Sequence, residues 1–274
     1  METTITDDTF RILLQNPRGL KMFRDPLNLQ YSLEQCSNHH KGALCLPESN
    51  INWGKKGAHN LLHQLTSKVW QHSTTATSYT KEELESDYQP GGTVSIVTGK
   101  WTSRVIEKGT HPYGLGRWSF MVLRGTRGRQ ILIVTAYRVC AQTLQSCGVT
   151  TATAQQFRQL MQKWKEMDTL DDPIPRLQFI LDLQAWLEYS QWDGYKIILA
   201  IDANENITGI PGKISPLKNK TDEPIKRTMH NGSLATLCNT CGLVDPLIIQ
   251  HQDSPPPNNI LQRIQPYQLY PNLI

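Results

Sequence analysis

The chain has 274 residues, of which 38% are hydrophobic, and a formal net charge of +4. This length allows one large domain or two small ones with a buried core, and so mild a charge is weak support for a polyanionic partner. No stretch approaches the roughly 18 consecutive apolar residues of a membrane helix, and the acidic N-terminus is unlike a secretion signal. We expect a soluble, intracellular protein, nuclear or cytoplasmic, that is not secreted and has no membrane partner.

The six cysteines of a chain without a secretion signal indicate reduced thiols. A zinc site made of Cys140, Cys147, Cys238 and Cys241 is conceivable, but zinc ribbons pair two tight CxxC motifs and only one is present. Cys238 and Cys241 also repeat at helical spacing with neighbouring leucines, so buried helix cysteines are the plainer interpretation.

In chain order, short β-branched or aromatic runs predict strands at 11–16, 43–48, 92–99, 117–123, 130–137 and 196–202. Apolar residues at helical spacing predict helices around 58–69, 157–164, 177–186 and 234–241. Because three predicted strands between 92 and 137 have no helix between them, we expect an antiparallel meander there, with a hairpin turn at LRGTRGRQ. We expect residues 1–9 to be disordered and one domain to span 10–274.

The stretch KIILAIDANEN (196–206) is an apolar run that leads straight into acidic and amide residues. The run predicts a strand buried on both faces, which places Asp202 at the end of a sheet, where α/β proteins keep their chemistry. The alternative is that Asp202 simply opens a turn. The following polar segment, 209–230, is rich in basic residues and prolines and predicts a mobile surface loop. Such loops are usually solvated surface, but this one would also suit contact with a phosphate backbone.

Polar side chains end four of the predicted strands. Each alone is explained by turn chemistry, but together they describe a pocket that could hold a hard divalent cation through oxygen ligands and clamp a phosphate. The residues are Gln15, Asn16, Glu48, Tyr137, Arg138, Asp202 and Asn204.

Five short motifs occur in an order that resembles the endonuclease/exonuclease/phosphatase superfamily, which includes deoxyribonuclease I. They are QN (15–16), PES (47–49), GLGRW (114–118), TAYR (135–138) and IDANEN (201–206). The sequence of these motifs is most similar to that of the retrotransposon-associated endonuclease branch. The resemblance implies an α+β fold, a four-layer α/β/β/α sandwich of two packed mixed β-sheets flanked by helices. It also implies a Mg²⁺-dependent (or Mn²⁺-dependent) phosphodiesterase or endonuclease that acts on nucleic acid, DNA above all.

The resemblance also implies a role for each matching residue in the metal site. Glu48 would be the principal metal ligand, and Asn16 would touch the metal or the phosphate. Asp202 would orient the attacking water or act as general acid and base. This division suits phosphoryl transfer, which needs positioning and charge neutralisation rather than a covalent nucleophile.

Four further residues would serve the substrate by the same resemblance. Tyr137 would donate to the phosphate, Asn204 would hydrogen-bond its oxygens, and Arg117 and Arg138 would support substrate binding. The alternatives are a half-buried sheet aromatic for Tyr137 and a surface cation for Arg117. Among the eight histidines, only His111 stands near a candidate, Arg117.

The C-terminal part departs from the superfamily pattern. After GLVD (242–245), members carry an Arg-Ile-Asp motif and then a Ser-Asp-His motif, whereas here Arg263 and Ile264 are followed by Gln265 and Pro266, and no SDH occurs. We therefore expect a C-terminally truncated domain whose last strands are missing. Two hypotheses stay open: an active endonuclease, or a catalytically inactive remnant of the fold with at most weak nucleic-acid or protein binding.

Overall fold

The computed structural model describes residues 9–82, 84–142, 146–167, 172–205 and 233–245, together with the backbone of 267–268. These residues form two β-sheets packed face to face with helices on their outer faces. The predicted α+β sandwich of two mixed sheets is confirmed. No described helix is long and apolar enough to cross a membrane.

The helices and strands follow one another along the chain in this order: β1 (Arg11–Leu14), α1 (Pro26–Asn38), β2 (Ala43–Pro47), α2 (Ala58–Val69), β3 (Ser73–Ser78), β4 (Thr93–Thr98), β5 (Val105–Thr110), β6 (Trp118–Arg124), β7 (Gln130–Tyr137), α3 (Ala152–Glu166), α4 (Pro175–Trp192), β8 (Lys196–Asp202), α5 (Leu234–Thr240) and β9 (Tyr267–Gln268). Short 3₁₀ turns span Gly99–Arg104 and Thr126–Gly128.

Each sheet contains one parallel pair of strands. The first sheet has the order β3-β4-β2-β1-β9 and the second β5-β6-β7-β8. The pairs β1–β2 and β7–β8 are parallel, and all other pairs are antiparallel. Parallel strands end at the same edge of a sheet, so the carboxyl ends of β1 and β2 lie together, as do those of β7 and β8.

Alternation along the strands builds three apolar layers. In β2, Leu44 and Leu46 pack outward against α1 and α2, while Cys45 faces the second sheet. In β7, Leu132 and Val134 pack outward against α4 and α5, whereas Ile131 and Ile133 face inward. The two-residue period of a strand therefore supplies both an outer and an inner core from one run.

A chain of hydroxyl groups continues the layer between the sheets. Thr93 contacts Ser78 and Ser119 at 2.8 Å each, and Ser95 contacts Ser119 at 2.9 Å and Thr135 at 2.7 Å. All five residues are at most 2% exposed. Because every hydroxyl has a partner, this network joins the two sheets in a fixed relative position.

All six predicted strands are present, but their assignment to sheets differs from the prediction. The run at 92–99 forms β4 in the first sheet, and the meander consists of β5, β6 and β7 in the second. The hairpin turn at LRGTRGRQ is confirmed, since it joins antiparallel β6 and β7. Four elements were not predicted: β3, whose sequence STTATS has one apolar residue; β5, a largely exposed edge strand; the two-residue strand β9; and α1.

Several predictions fall outside the described residues. They are the disordered N-terminus, apart from residue 9, the basic loop at 209–230, and the departure from the superfamily pattern at Arg263 to Pro266. The short strand β9 pairs antiparallel with β1, through Gln268 opposite Arg11 and Tyr267 opposite Ile12.

Candidate functional site

Three of the predicted site residues converge on one point. Asn16 follows β1, Glu48 follows β2 and Asp202 ends β8. The Nδ2 atom of Asn16 lies 2.6 Å from Glu48 Oε2 and 2.6 Å from Asp202 Oδ2. Two carboxylates from different sheets thus point at the same small volume, and the amide hydrogens of Asn16 satisfy both.

The side chains of this group are held by neighbouring backbone. The backbone N–H of Arg18 donates to Asn16 Oδ1 at 2.7 Å, which fixes the orientation of the amide. The backbone N–H of Asn204 donates to Asp202 Oδ1 at 3.2 Å. Each carboxylate oxygen of Asp202 therefore has a donor, and the group is presented in one orientation.

Glu48 is held in an unusual backbone conformation. Its φ of 56° lies in the left-handed region, where a residue with a Cβ is strained. The loop is clamped from two sides, because Gly19 N donates to Glu48 O at 3.0 Å and Ser49 N donates to Gly92 O at 3.1 Å. Gly92 is itself at φ 74°, and a Cβ there would lie 2.6 Å from the carbonyl oxygen of Ser78. Strain of this kind often marks a functional position.

Tyr137 lies beside the two carboxylates. It is opposite Asp202 in the register of β7 and β8, and its side chain is 6% exposed. Burial raises the pKa of the phenol well above its usual value, and the charges of Glu48, Cys140 and Asp202 raise it further. The hydroxyl therefore stays protonated and remains a hydrogen-bond donor at any ordinary pH.

Asn204 also lies at this edge, with φ of 46°. Its Nδ2 donates to the carbonyl oxygen of Arg138 at 2.7 Å, which ties β8 to the segment after β7. An amide NH₂ carries two hydrogens, so one donor is left for a ligand. The predicted contact with phosphoryl oxygens stays a prediction.

Arg117 is buried in an ion pair and is not exposed to a substrate. Its side chain is fully buried, and its Nη1 lies 2.5 Å from Asp182 Oδ2 in α4. Burial lowers the pKa of the guanidinium to about 10, although the Asp182 charge opposes that shift. Both sequence-based interpretations of Arg117, as a substrate ligand and as a surface cation, disagree with this placement.

Arg138 is likewise turned inward. It is 4% exposed and forms an ion pair with Glu205. Burial and the neighbouring Arg176 lower the pKa of Arg138 to about 10, whereas Glu205 acts in the opposite direction. The placement argues against the predicted role of Arg138 in substrate binding, because the guanidinium already serves a structural pair.

Two other arginines stand closer to the site surface. Arg18 is exposed and directly follows the QNP turn that carries Asn16. Arg176 is partly exposed and donates to the carbonyl oxygens of Val139 and Asn204 at 2.6 and 2.9 Å. Sequence reasoning missed both, although the position of Arg18 two residues after Asn16 was a usable signal.

A divalent cation would find two carboxylates at this point. Among the described residues, no group of three His, Cys, Asp or Glu side chains could hold a metal. Mg²⁺, however, is usually bound through only one or two carboxylates, with water and substrate phosphates completing the shell. Glu48 and Asp202 fit that requirement, because one oxygen of each carboxylate already points towards the same place, the Asn16 Nδ2 atom.

Cys238, Cys241 and His111 pack in the core of the second sheet or beside it. Cys238 lies in α5 and Cys241 caps it, both against the outer core of the second sheet, as a helix cysteine would. His111 is buried with its ring 4.1 Å from that of Trp118. Burial, then Arg117 and Lys163, lower the pKa of His111 to about 3, so it is neutral at physiological pH.

A cavity of about 220 Å³ opens beside Glu48 and Tyr137. Part of its lining comes from Tyr88, Pro90 and Gly91, and another part comes from the residues at and just before the start of α3. Neither segment was predicted to belong to the site, and no local motif marks them.

Comparison with solved structures finds similar chains, one of which is described as an endonuclease/exonuclease/phosphatase family protein. The human Nocturnin catalytic domain is 15% identical, with a TM-score of 0.43 over 73% of this chain. An AP endonuclease from Leishmania major is 12% identical, with a TM-score of 0.45 over 72% of this chain. An endonuclease/exonuclease/phosphatase family protein from Leptotrichia buccalis is 12% identical, with a TM-score of 0.32 over 56%. The chain resembles these proteins in fold.

The extent of these matches limits what they mean. This chain spans 65% of the Nocturnin chain, 58% of the Leishmania chain and 62% of the Leptotrichia chain. No family model matches the sequence, and no curated protein matches it. At these identities and TM-scores the likeness concerns the fold, and the chemistry of this chain is argued below from its own residues.

Proposed function

We propose that this chain is a divalent-metal-dependent phosphodiesterase of the endonuclease type that acts on nucleic acid, DNA above all. One observation carries the proposal: the carboxylates of Glu48 and Asp202, from two different sheets, both lie 2.6 Å from one nitrogen of Asn16. Convergence of two acids, with a protonated phenol beside them, suits the transfer of a phosphoryl group.

Each residue then has a role that follows from its position. Glu48 and Asp202 would hold Mg²⁺ or Mn²⁺, which would neutralise phosphate charge and lower the pKa of a bound water. Asn16 would keep the two carboxylates aligned, and Tyr137 would donate its hydroxyl to a phosphate oxygen. Asp202 would also orient the attacking water, and the second amide hydrogen of Asn204 would reach a phosphoryl oxygen.

For phosphate contact we propose Arg18 in place of Arg117 and Arg138. Arg18 is exposed beside Asn16, whereas the other two arginines are buried in ion pairs with Asp182 and Glu205. An exposed guanidinium can pair with a backbone phosphate without breaking an internal contact. We further propose a retroelement origin, on the phrasing of the sequence motifs, and an intracellular site of action, nuclear or cytoplasmic, in keeping with six free cysteines.

The second candidate is a non-catalytic remnant of the fold that binds nucleic acid or protein weakly. It is favoured by the lack of a group of three His, Cys, Asp or Glu side chains within the described ranges, and by the lack of a Ser-Asp-His motif in the sequence. A site with fewer acids and no imidazole would lose much of its rate, since single members commonly contribute about 10² to 10⁴.

Nicking of supercoiled plasmid in Mg²⁺ separates the two candidates. Glu48→Ala and Asp202→Ala are the site variants, and Asp193→Ala, at an exposed position at the end of α4, is the matched control. Nicking by the wild type and the control, but by neither site variant, supports the enzyme. Equal lack of nicking by all four proteins, with folding confirmed by circular dichroism, overturns it.

A further inference from the structure

The cavity beside Glu48 has a mixed lining. Its apolar surface includes Pro90, Val139 and Ala152, and threonines at and just before the start of α3 contribute hydroxyl groups. Tyr88 also lines the cavity and is 53% exposed, so part of an aromatic residue is accessible at the rim.

Beyond Glu48 and Tyr137, which the proposed function gives to the metal and the phosphate, the lining of the cavity carries no charge. Among the thirteen described residues that line the cavity, Glu48 is the only one with a formal charge at neutral pH, and none is Lys, Arg or His. Phosphates are held above all by cations. The part of the cavity away from Glu48 and Tyr137 therefore suits a neutral group with both apolar and hydrogen-bonding surface.

The size of the cavity restricts the occupant further. Its volume of about 220 Å³ is below the roughly 300–1,000 Å³ of pockets for drug-sized ligands, so it suits a single ring system. A nucleobase is such a group, because it is flat, neutral and hydrogen-bonding at its edge. Aromatic side chains bind bases of any sequence by stacking.

We propose that this cavity binds one unpaired nucleobase of the strand whose phosphate lies at Glu48 and Asp202, with the base against the ring of Tyr88. The inference rests on the proposed function, because it takes the ligand at the two carboxylates to be a nucleic acid. A base can enter a pocket only when it is not stacked and paired in a duplex. The preferred substrate is therefore single-stranded, or carries an unpaired nucleotide next to the cleaved bond.

Binding without cleavage tests the base site directly. Fluorescence anisotropy with a short single-stranded oligonucleotide, in EDTA, compares the wild type with Tyr88→Ala and Tyr88→Phe. Tyr31→Ala, an exposed tyrosine on α1, is the matched control. We expect Tyr88→Ala to bind about tenfold more weakly, and Tyr88→Phe and Tyr31→Ala to bind as the wild type does, since stacking needs only the ring.

An abasic scan assigns the effect to one base. Oligonucleotides with a single abasic residue at successive positions should bind the wild type about tenfold more weakly at one position only, and Tyr88→Ala should lose that sensitivity. The inference is overturned if no abasic position weakens binding to the wild type. It is also overturned if Tyr88→Ala is as sensitive to the abasic position as the wild type is. Tighter binding of the matching duplex than of the single strand also overturns it.

The exposed thiol of Cys140, which lines the same cavity, gives a second measurement. The normal oligonucleotide should slow alkylation of Cys140 by iodoacetamide, and the oligonucleotide that is abasic at the sensitive position should not. Equal protection by both argues against a base in the cavity. If the protein binds in a base-dependent way but does not nick plasmid, the proposed hydrolysis is wrong and the base site stands. If the protein nicks plasmid but no abasic position weakens binding, the base site is wrong and the proposed hydrolysis stands.

Discussion

Tyr137 and Asp202 are opposite each other at the carboxyl end of the parallel pair of β7 and β8. The backbone continues the pairing one step further, because Arg138 N donates to Asp202 O at 2.9 Å. The phenol and the carboxylate therefore belong to one rigid sheet edge rather than to two loops. Rigid elements hold reacting groups more precisely than loops do, which suits a site that works by positioning.

The first prediction concerns the Tyr137 hydroxyl. Replacing it in Tyr137→Phe keeps the ring and removes one donor, so we expect the nicking rate to fall by about 10²-fold or more. Since burial and then Glu48 raise the pKa of this phenol, the wild-type rate should not decline through pH 10, where an ordinary tyrosine titrates. Rates measured from pH 7 to 10.5 test both points, with Tyr31→Phe as control. A wild-type rate for Tyr137→Phe would contradict the assignment.

The second prediction separates backbone strain from chemistry at Glu48. Because Glu48 has a φ of 56°, glycine suits the position better than alanine does. We expect Glu48→Gly to unfold with a free energy about 1–2 kcal/mol higher than Glu48→Ala, while neither nicks plasmid. Denaturant unfolding followed by circular dichroism gives the comparison. Equal stability of the two variants would mean that the loop relaxes when the carboxylate is removed.

The third prediction treats Arg117 and Asp182 as a structural pair. Removing only the carboxylate, in Asp182→Leu, leaves a fully buried guanidinium without its partner and should cost about 3–5 kcal/mol of stability. The double variant Arg117→Met with Asp182→Leu should recover most of that loss, since an apolar pair can replace a buried ion pair. Urea unfolding of the wild type, both single variants and the double variant completes the cycle.

The same variants test the role that was predicted for Arg117 from the sequence. If Arg117 only supports the fold, the folded double variant should bind single-stranded DNA as the wild type does. A tenfold loss of affinity in a variant of unchanged stability would restore Arg117 as a substrate contact.

The fourth prediction concerns acid stability. Burial, Arg117 and Lys163 lower the pKa of His111 to about 3 from 6.5. Below pH 6.5 the unfolded chain takes up a proton that the folded chain does not, so this residue lowers stability as the pH falls from 6.5 towards 3. The slope is up to about 1.4 kcal/mol per pH unit. Unfolding measured between pH 7 and 4 should show a shallower decline of stability in His111→Phe than in the wild type, and an equal decline in both would contradict the prediction.

The site residues that stand at the ends of strands could be predicted from the sequence. Asn16, Glu48 and Asp202 each follow a short apolar run, and the ends of such runs are visible without any tertiary information. The sequence analysis placed these residues in one pocket, but it did not predict the parallel pairs and the packing of the two sheets that bring them together. The left-handed conformation of Glu48 had no local signal, because it depends on the clamp formed with Gly19 and Gly92.

Features that depend on contacts between residues distant in the sequence could not be predicted. Arg117 has its partner Asp182 in α4, and nothing in GLGRW indicates whether the guanidinium points inward or outward. The strand β3 has only one apolar residue in STTATS, and it is a strand because β4 pairs along its whole length. In α1 only Leu33 is fully buried, so its helical periodicity is weak.

The fifth prediction concerns Arg18, the exposed cation next to the carboxylates. If it pairs with a backbone phosphate, Arg18→Ala should weaken binding to all sequences by a similar factor, and should lower the slope of log affinity against log salt concentration by about one. Its matched control is Arg127→Ala, at an exposed position in the β6–β7 hairpin that also has a positive φ. Binding to a short oligonucleotide in EDTA at 50 to 200 mM salt measures both slopes. An unchanged slope for Arg18→Ala would show that Arg18 does not neutralise a phosphate. Other basic residues would then have to contact the phosphate backbone.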